Sequence, residues 1–373
     1  MLTPEAAKRQ AMVATGLADF GGDDFEEGLE RALAAFAALP LTEAGRQGAE
    51  AAIVGSLAAR LRIEAYWQAH PELADVPVQG PVPVTGLPRT GTTATVGMMA
   101  LDPRLRFLRA WEAVQPLPPP VLGEEDRDPR AVAARAAARG GANQAMHLSD
   151  PDGPEEDLVF LAGLTMRAYH GAFPMPGSFI DWWIGADFSA TYRWHRKVLQ
   201  ILHSRRPPHL WLLKAPPHLF RLDAFMAEYP DARIVMTHRD PASVIASDSS
   251  LRWHLASARC DMTGLDKRSF GPSLLAFWKQ GMDRALAART RIGEERFVDV
   301  RNQDVAADPV AAFERVYAGL GMDVTPHLRA AIADYGRRNA QGTHGAHRYT
   351  AEEYGLTRED IRAAFGDYVT RFG

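Results

Sequence analysis

Four short apolar segments, each followed by a turn and a helix-like stretch, constrain the fold of this chain more than any other feature of its sequence. The first begins at Pro81, and the others lie at residues 209–213, 232–238 and 296–300. Strands that alternate with helices at these lengths require right-handed crossovers and a largely parallel sheet. The sequence therefore predicts an α/β fold, a three-layer sandwich in which helices flank a central, mostly parallel sheet.

The N-terminal part of the chain has a helical pattern instead. Between residues 26 and 70 apolar residues recur at helical spacing, with Thr42 as a candidate N-cap and Pro71 at the end. We expect this segment to pack against the rest of the protein without taking part in chemistry. Since no internal repeat or long linker divides the chain, residues 1–373 should form a single domain with an N-terminal helical extension over about residues 1–75.

The composition excludes several classes of protein. Forty-two basic and forty-six acidic residues leave a formal net charge of −4, which argues against a protein that coats nucleic acid. The one cysteine, Cys260, permits neither an intramolecular disulfide nor a four-cysteine zinc site. The sequence contains no signal-peptide pattern and no run of about eighteen apolar residues. We therefore expect a cytoplasmic enzyme or binding protein without an integral membrane segment.

The loop after the first apolar segment nearly matches the phosphate-binding pattern G-x-x-x-x-G-K-[ST]. Both glycines, Gly86 and Gly91, and the final hydroxyl of Thr93 are present. Thr92, however, stands in place of the lysine, and Arg89 supplies a cation inside the loop. The backbone N–H groups of such a loop, with a helix N-terminus behind them, hold anions. The missing lysine indicates an anion other than a magnesium-bound nucleoside triphosphate.

Charged residues also follow two other predicted strands. Lys214 comes directly after the segment 209–213 and begins a turn that ends at His218. Arg239 comes directly after the segment 232–238. In open α/β sheets, ligands bind beyond the carboxyl ends of the strands. We therefore expect the three loops to form one site.

Together these motifs resemble those of the sulfotransferases that use 3′-phosphoadenosine 5′-phosphosulfate (PAPS), especially the bacterial branch with a G-L-P-R-[ST]-G-T-T loop. The resemblance runs from about Pro71 to the C-terminus and implies a P-loop-like fold. It assigns the 5′-phosphosulfate of the donor to the loop residues Arg89, Thr90, Gly91, Thr92 and Thr93.

The resemblance also assigns residues to the other end of the donor. Arg239, with Ser247 eight residues later, matches the pair that holds the 3′-phosphate, and Lys214 matches a family lysine. The C-terminal segment would close over the donor, where Arg348 would contact phosphate. The chain departs from the family pattern at Asn302, where a tyrosine is usual.

The reaction that the resemblance implies is sulfuryl transfer. The group would pass from PAPS to a hydroxyl of a small-molecule acceptor by in-line displacement, for which no metal is obligatory. Arg89 and Lys214 are the candidates to meet the charge that develops on the departing phosphate. The base that takes the acceptor proton has four candidates, of which the first is preferred: Glu112, His218, Glu155 and Glu156.

Two other functions stay open. A P-loop nucleotide or small-molecule kinase is disfavoured because Thr92 replaces its lysine. A non-catalytic nucleotide-binding protein on the same scaffold would have no use for Lys214 beside an anion loop. The pair His344 and His347 lacks a third ligand nearby in the sequence, so we expect no metal site there.

The acceptor is left undefined by these motifs. Residues 169–194 are rich in aromatic side chains, which would form either ordinary core or the wall of an acceptor pocket. Lipid, phenol, sterol and sugar hydroxyls are all compatible with such a wall. The oligomeric state is equally open, with a homodimer as one option.

Overall fold

Five parallel strands form the central sheet. The computed structural model describes residues 1–140, 150–205, 210–339 and 349–373. The strands are β1 (Val82–Gly86), β2 (Leu105–Phe107), β3 (Leu210–Lys214), β4 (Ile234–His238) and β5 (Phe297–Arg301). Their order in the sheet is β2-β3-β1-β4-β5, and all four neighbouring pairs are parallel. The predicted α/β fold is confirmed, although β2 is missed from the sequence because three residues are too few to show a pattern.

Helices make up most of the remaining described residues. Before β3 they are α1 (Pro4–Thr15), α2 (Glu26–Ala37), α3 (Glu43–Ala69), α4 (Thr92–Met99), α5 (Ala110–Val114), α6 (Pro129–Gly140), α7 (Asp157–Leu161), α8 (Gly177–Gly185) and α9 (Ser189–His203). After β3 they are α10 (Leu222–Glu228), α11 (Pro241–Ser257), α12 (Lys267–Ile292), α13 (Asn302–Ala307), α14 (Pro309–Leu320), α15 (Pro326–Arg338), α16 (Arg358–Ala364) and α17 (Gly366–Phe372). Within the described ranges, no helix is long and apolar enough to span a membrane.

The two faces of the sheet are buried in two hydrophobic cores. Successive residues of a strand point to opposite faces, so Leu212 and Val235 pack with α4, α14 and α15 on one side. Leu213 and Met236 pack on the other side, in a larger core that includes α3, α9, α10 and α12. Because both faces are covered, the strands carry nearly continuous apolar runs. This arrangement is the predicted three-layer sandwich.

The segment predicted as one helix over residues 26–70 is two helices, α2 and α3. Pro40 lies between them, and proline disfavours a helical conformation in the residue that precedes it. Thr42 caps α3 as predicted, because its hydroxyl accepts a hydrogen bond from the N–H of Gly45 at 3.0 Å. Leu57 and Leu61 of α3 are fully buried in the larger core. The N-terminal helices thus share their core with the helices that cover the sheet.

The strand order brings three loops together at the carboxyl edge of the sheet. β1 lies between β3 and β4, so the loops that follow these three strands are neighbours. The chain leaves β1 toward β2 and β3 on one side and then returns to β4 on the other. Such a switch point is where open α/β sheets bind their ligands.

Leu57→Ala should lower the free energy of unfolding of the whole chain by about 2–5 kcal/mol, because it opens a cavity in the shared core. Denaturant unfolding should show one shifted transition by fluorescence and by circular dichroism. Val13→Ala, at an exposed position of α1, is the control and should change the free energy by less than about 0.5 kcal/mol. Two transitions, of which only one shifts, would mean that the N-terminal helices fold apart from the sheet.

Candidate active site

The loop between β1 and α4 has the backbone geometry of an anion cradle. Gly91 has a φ of 94° and Arg89 a φ of 62°, both in the left-handed region. At Gly86, with a φ of 152°, a Cβ atom would lie 2.5 Å from the carbonyl oxygen of Thr237, so this position requires glycine. The hydroxyl of Thr90 donates to the carbonyl of Leu87 at 2.6 Å, which closes the loop. The unpaired N–H groups at the start of α4 therefore point toward one place.

The loop is fastened to the neighbouring strand by threonine hydroxyls. Thr90 and Thr237 share a hydrogen bond of 2.6 Å between their hydroxyl oxygens, and both side chains are buried. Thr92, at the start of α4, is buried as well, whereas Thr93 is exposed to the site. Asn302 also reaches the loop, because a Cβ on Gly91 would lie 2.7 Å from its side-chain nitrogen. The position where the family usually has tyrosine thus contacts the anion loop with an amide instead.

Two arginines meet beside the loop, and neither has a carboxylate partner among the described residues. Arg89 donates from Nε to the hydroxyl oxygen of Ser247 at 3.2 Å. Arg239 donates from Nη1 to the carbonyl oxygen of Arg89 at 3.1 Å. Ser247 belongs to α11, which begins at Pro241 with the side chain of Asp240 as its cap. Neighbouring guanidinium groups without counter-charges make this part of the site suited to phosphate or sulfate groups.

Lys214 lies at the end of β3 and is almost fully buried. Its Nζ is 3.5 Å from the hydroxyl of Thr93 and 3.4 Å from a carboxylate oxygen of Glu156. Glu156 is partly exposed, so this ion pair has one member in the interior and one at the surface of the site. A positive charge is thereby held immediately behind the anion loop.

A buried carboxylate, Asp157, holds this region in place. One of its oxygens accepts the backbone N–H of Lys214 at 2.7 Å. The other accepts Nε2 of His195 at 2.9 Å and Nε2 of His218 at 3.0 Å. The Nδ1 atoms of the two histidines lie 2.7 Å from the hydroxyl of Tyr229 and 2.8 Å from that of Tyr192, respectively. Each histidine thus links the carboxylate to a buried tyrosine hydroxyl.

Opposing effects act on the pKa of Asp157. Burial by itself favours the neutral acid, but the two histidines, through their charge and their hydrogen bonds, hold the pKa well below its usual range. Burial also raises the pKa values of Tyr192 and Tyr229, so their hydroxyls keep their protons. At ordinary pH Asp157 is therefore an ionised carboxylate and the two tyrosine hydroxyls are neutral.

Two of the predicted base candidates are fully buried and engaged by other residues. Both ring nitrogens of His218 are used within the buried network, and its side chain is fully buried. Glu112 is fully buried too, with one oxygen 2.8 Å from Nη2 of Arg106 and the other accepting the N–H of Arg109 at 3.0 Å. These contacts give both residues structural roles. Glu112 and His218 are thus each held in the interior by partners of their own.

Of the acidic pair at 155–156, Glu156 faces the site. It is among the residues that line a cavity of about 710 Å³ next to the anion loop, as are Arg89, Thr92 and Thr93. Glu155 is not among them, and one of its carboxylate oxygens accepts the N–H of Glu156 at 2.8 Å. Glu156 is thus the acidic residue that both pairs with Lys214 and lines the cavity.

The rest of the cavity is mostly apolar. One wall belongs to α3, which contributes Ala52, Ile53, Gly55, Ser56, Ala59, Arg62 and Ile63. This helix therefore borders the cavity as well as packing in the core, and its small side chains shape that wall. A second wall runs from Val159 to Phe173, and α11 adds Asp248, Leu251, Arg252 and Leu255.

The aromatic segment 169–194 is divided between core and cavity. Tyr169 and Phe173 line the cavity, whereas Trp183 and Tyr192 are buried in the larger core. Arg348 and the pair His344 and His347 lie outside the described residues. Within the described ranges, no group of three or more histidine, cysteine or acidic side chains is arranged to hold a metal ion.

Similar proteins identify the class of this one. The model of the sulfotransferase family matches residues 81–326, well over half of the chain. Sulfotransferase STF9 from Mycobacterium avium has a crystal structure that superposes with a TM-score of 0.92 at 31% identity, over 100% of this chain and 97% of its own. The chain belongs to the sulfotransferase family, and it is an enzyme of the transferase class.

Two further relatives come from Mycobacterium tuberculosis. The crystal structure of sulfotransferase STF1 has a TM-score of 0.86 at 30% identity and covers 98% of this chain and 99% of its own. Omega-hydroxy-beta-dihydromenaquinone-9 sulfotransferase Stf3 is 24% identical over 307 residues, which are 79% of this chain and 75% of that protein. The likeness to the solved sulfotransferases thus extends through the N-terminal helices, beyond the range of the family model.

Asp157→Asn should destabilise the protein by about 3 kcal/mol or more at pH 7, because it removes the charge around which buried donors are arranged. Folding lowers the pKa of Asp157, so its stabilising effect is complete above the unfolded pKa of about 3.9 and is lost as the pH falls through the folded value. The difference between wild type and variant should therefore be constant above about pH 5 and shrink below it.

Urea unfolding from pH 3.5 to pH 8 measures this difference. Glu156→Gln, one residue away but partly exposed, is the matched control and should change the free energy of unfolding by less than about 1 kcal/mol. A pH-independent difference for Asp157→Asn would contradict the assignment of a buried ionised carboxylate.

Proposed function

We propose that this protein transfers a sulfuryl group from PAPS to a hydroxyl of a largely apolar small molecule. One observation carries the proposal: a single cavity adjoins both the anion loop, with Lys214 behind it, and a mostly apolar wall. A donor anion and an apolar acceptor could therefore meet there. Such a meeting of two substrates is what in-line transfer requires.

The donor would be held through its two anionic ends. The loop N–H groups, with Thr92 and Thr93, would take the 5′-phosphosulfate, and Arg239 with Ser247 would take the 3′-phosphate. Arg89, a residue of the loop, would serve both ends, since its side chain contacts Ser247 and its carbonyl oxygen accepts from Arg239. Guanidinium groups without carboxylate partners in the described chain support this assignment, because a bound phosphate would supply the missing counter-charge.

Lys214 and Glu156 would perform the transfer. The sulfur–oxygen bond to the donor phosphate breaks as the acceptor oxygen bonds to sulfur, and Lys214 would neutralise the charge left on that phosphate. Glu156 would take the proton from the acceptor hydroxyl, since it is the acidic side chain beside Lys214 that lines the cavity. In the resting protein the two charges would offset each other at 3.4 Å.

The acceptor would be apolar over most of its length. The walls from α3 and from residues 159–173 consist chiefly of aliphatic, aromatic and small side chains, which favour a lipid-like or aryl alcohol over a sugar. The name of the Stf3 relative, which specifies a hydroxylated menaquinone derivative, points in the same direction. The cytoplasmic location and the homodimer stay predictions.

Calorimetry with adenosine 3′,5′-bisphosphate tests the donor site. The wild-type protein should bind this product without magnesium and should bind magnesium–ATP much more weakly. Arg239→Ala should weaken binding of the bisphosphate about a hundredfold, because a charge-assisted bidentate contact is lost. Arg315→Ala, at an exposed arginine paired with Asp304, is the control and should leave the affinity unchanged. Tight magnesium-dependent ATP binding would favour the kinase instead.

Steady-state kinetics with radiolabelled PAPS and a panel of alcohols and phenols test the transfer. Lys214→Ala should lower kcat about a hundredfold with a much smaller effect on the KM for PAPS, because its contact strengthens in the transition state. Lys279→Ala, an exposed lysine of α12, is its control. A change in KM alone would make Lys214 a binding residue.

Glu156→Gln should also lower kcat, and more for alkyl alcohols than for phenols, because acceptors of high pKa depend most on a base. Glu155→Gln provides the matched comparison and should retain most of the wild-type kcat. Equal losses for phenols and alkyl alcohols would argue that Glu156 only positions Lys214. Binding of the bisphosphate without transfer to any acceptor would favour the non-catalytic alternative.

A further inference from the structure

The cavity wall at residues 163–173 contains unusual backbone. Among the described residues, three that are not glycine have a positive φ: Arg89 at 62°, Met166 at 54° and His170 at 37°. All three line the cavity. Side chains with a Cβ avoid this conformation, and residues held in it concentrate at ligand sites. Arg89 already has a place in the anion loop, and Met166 ends the helical turn Ala162–Thr165 as its left-handed cap, which leaves His170 unexplained.

His170 is a polar residue of that segment whose ring lines the cavity. Its ring packs against the rings of Phe36 and Phe179, with centroids 4.9 Å and 5.9 Å away. In the described part of the chain, neither ring nitrogen has a hydrogen-bond partner, and the side chain is only partly buried. The imidazole is therefore clamped by aromatic rings and faces the cavity with its polar atoms unused.

The charge state of this ring follows from its surroundings. Burial lowers the pKa of His170 to about 4, so the imidazole is neutral at pH 7. A neutral imidazole offers one N–H donor and one nitrogen acceptor. Ala168, Ala172 and Phe173 in the same wall are apolar, and in the described part of the chain the polar side chains of Tyr169 and Arg252 in the cavity make no hydrogen bond to the imidazole. A polar group in apolar surroundings is costly unless a partner satisfies it.

We propose that His170 forms a second polar subsite of the acceptor cavity. Together with the apolar walls, it selects an elongated apolar alcohol that carries another uncharged polar group, a hydroxyl or a carbonyl, apart from the hydroxyl that is sulfated. This inference rests on the proposed function, because it assigns the same cavity to the acceptor. It concerns recognition, and the transfer step stays with Lys214 and Glu156.

Matched acceptors test the subsite. The probes are straight-chain alkan-1-ols of six to sixteen carbons and, for each length, the corresponding ω-hydroxy methyl ketone, which has the same reacting hydroxyl. For wild-type protein, kcat/KM should favour the ketone by about 3- to 10-fold at the chain length that spans the subsite, the gain from one hydrogen bond. At shorter lengths the two probes should react alike.

Variants assign this preference to His170. His170→Phe keeps the aromatic contacts without a polar atom, and the ketone-to-alcohol ratio should fall to about one. His170→Gly removes the imidazole from a backbone that glycine adopts freely, and it should give the same ratio even if the phenylalanine variant does not fold. His327→Phe, the same change on exposed α15, should keep the wild-type ratio.

The outcomes separate the two proposals. Transfer to the simple alcohols reports the proposed function, whereas the ratio reports the subsite. A wild-type ratio near one at every length, or an unchanged ratio in both His170 variants, would overturn the subsite and leave the sulfotransferase proposal intact. Binding of adenosine 3′,5′-bisphosphate without transfer to any member of either series would overturn both.

Discussion

The buried carboxylate of Asp157 links several segments of the chain whose relative positions define the site. It lies at the start of α7, yet it accepts the backbone N–H of Lys214 at the end of β3 and ring N–H groups from α9 and from the turn after β3. An ionised carboxylate in the interior is stable only if such donors surround it. The position of Lys214 and the approach of Glu156 therefore both follow from satisfying one buried charge.

The distribution of charge around the anion loop follows a different rule. Several buried charges elsewhere in the described chain have partners of opposite charge, as Glu112 does in Arg106 and Arg289 in Asp299, the latter pair at 2.6 Å. Arg89 and Arg239, by contrast, are partnered with neutral oxygens within the described chain. Leaving these guanidinium groups without counter-charges costs little while they are solvated. It reserves their charge for an anion that enters the site.

The cavity depends on parts of the chain that look unrelated in sequence. The edge of the cavity that the anion loop forms belongs to the sheet, as in other P-loop-like folds. Its walls come from α3 and from the segment of the chain that joins β2 to β3. The small residues of α3 leave room where larger side chains would fill the space. His170 and Met166, which both have a positive φ, line the wall formed by residues 159–173. In the proposed function, specificity for the acceptor would depend on packing between the N-terminal helices and the segment that joins β2 to β3.

The sequence by itself determined the α/β class, four of the strands, the anion loop and the positions of Lys214, Arg239 and Ser247 at strand ends. These features are local, because hydrophobic periodicity, the spacing of glycines and the effect of a proline involve only residues that are close together in the chain. Only the tertiary structure decided which acidic residue faces the site. Both are glutamates that precede or begin a short helix, but folding buries Glu112 against Arg106 and brings Glu156 beside Lys214, which is far from it in the sequence. The cavity wall on α3 could not be predicted from the sequence either. A helical pattern shows which face of a helix is apolar but not whether that face packs in the core or borders a cavity.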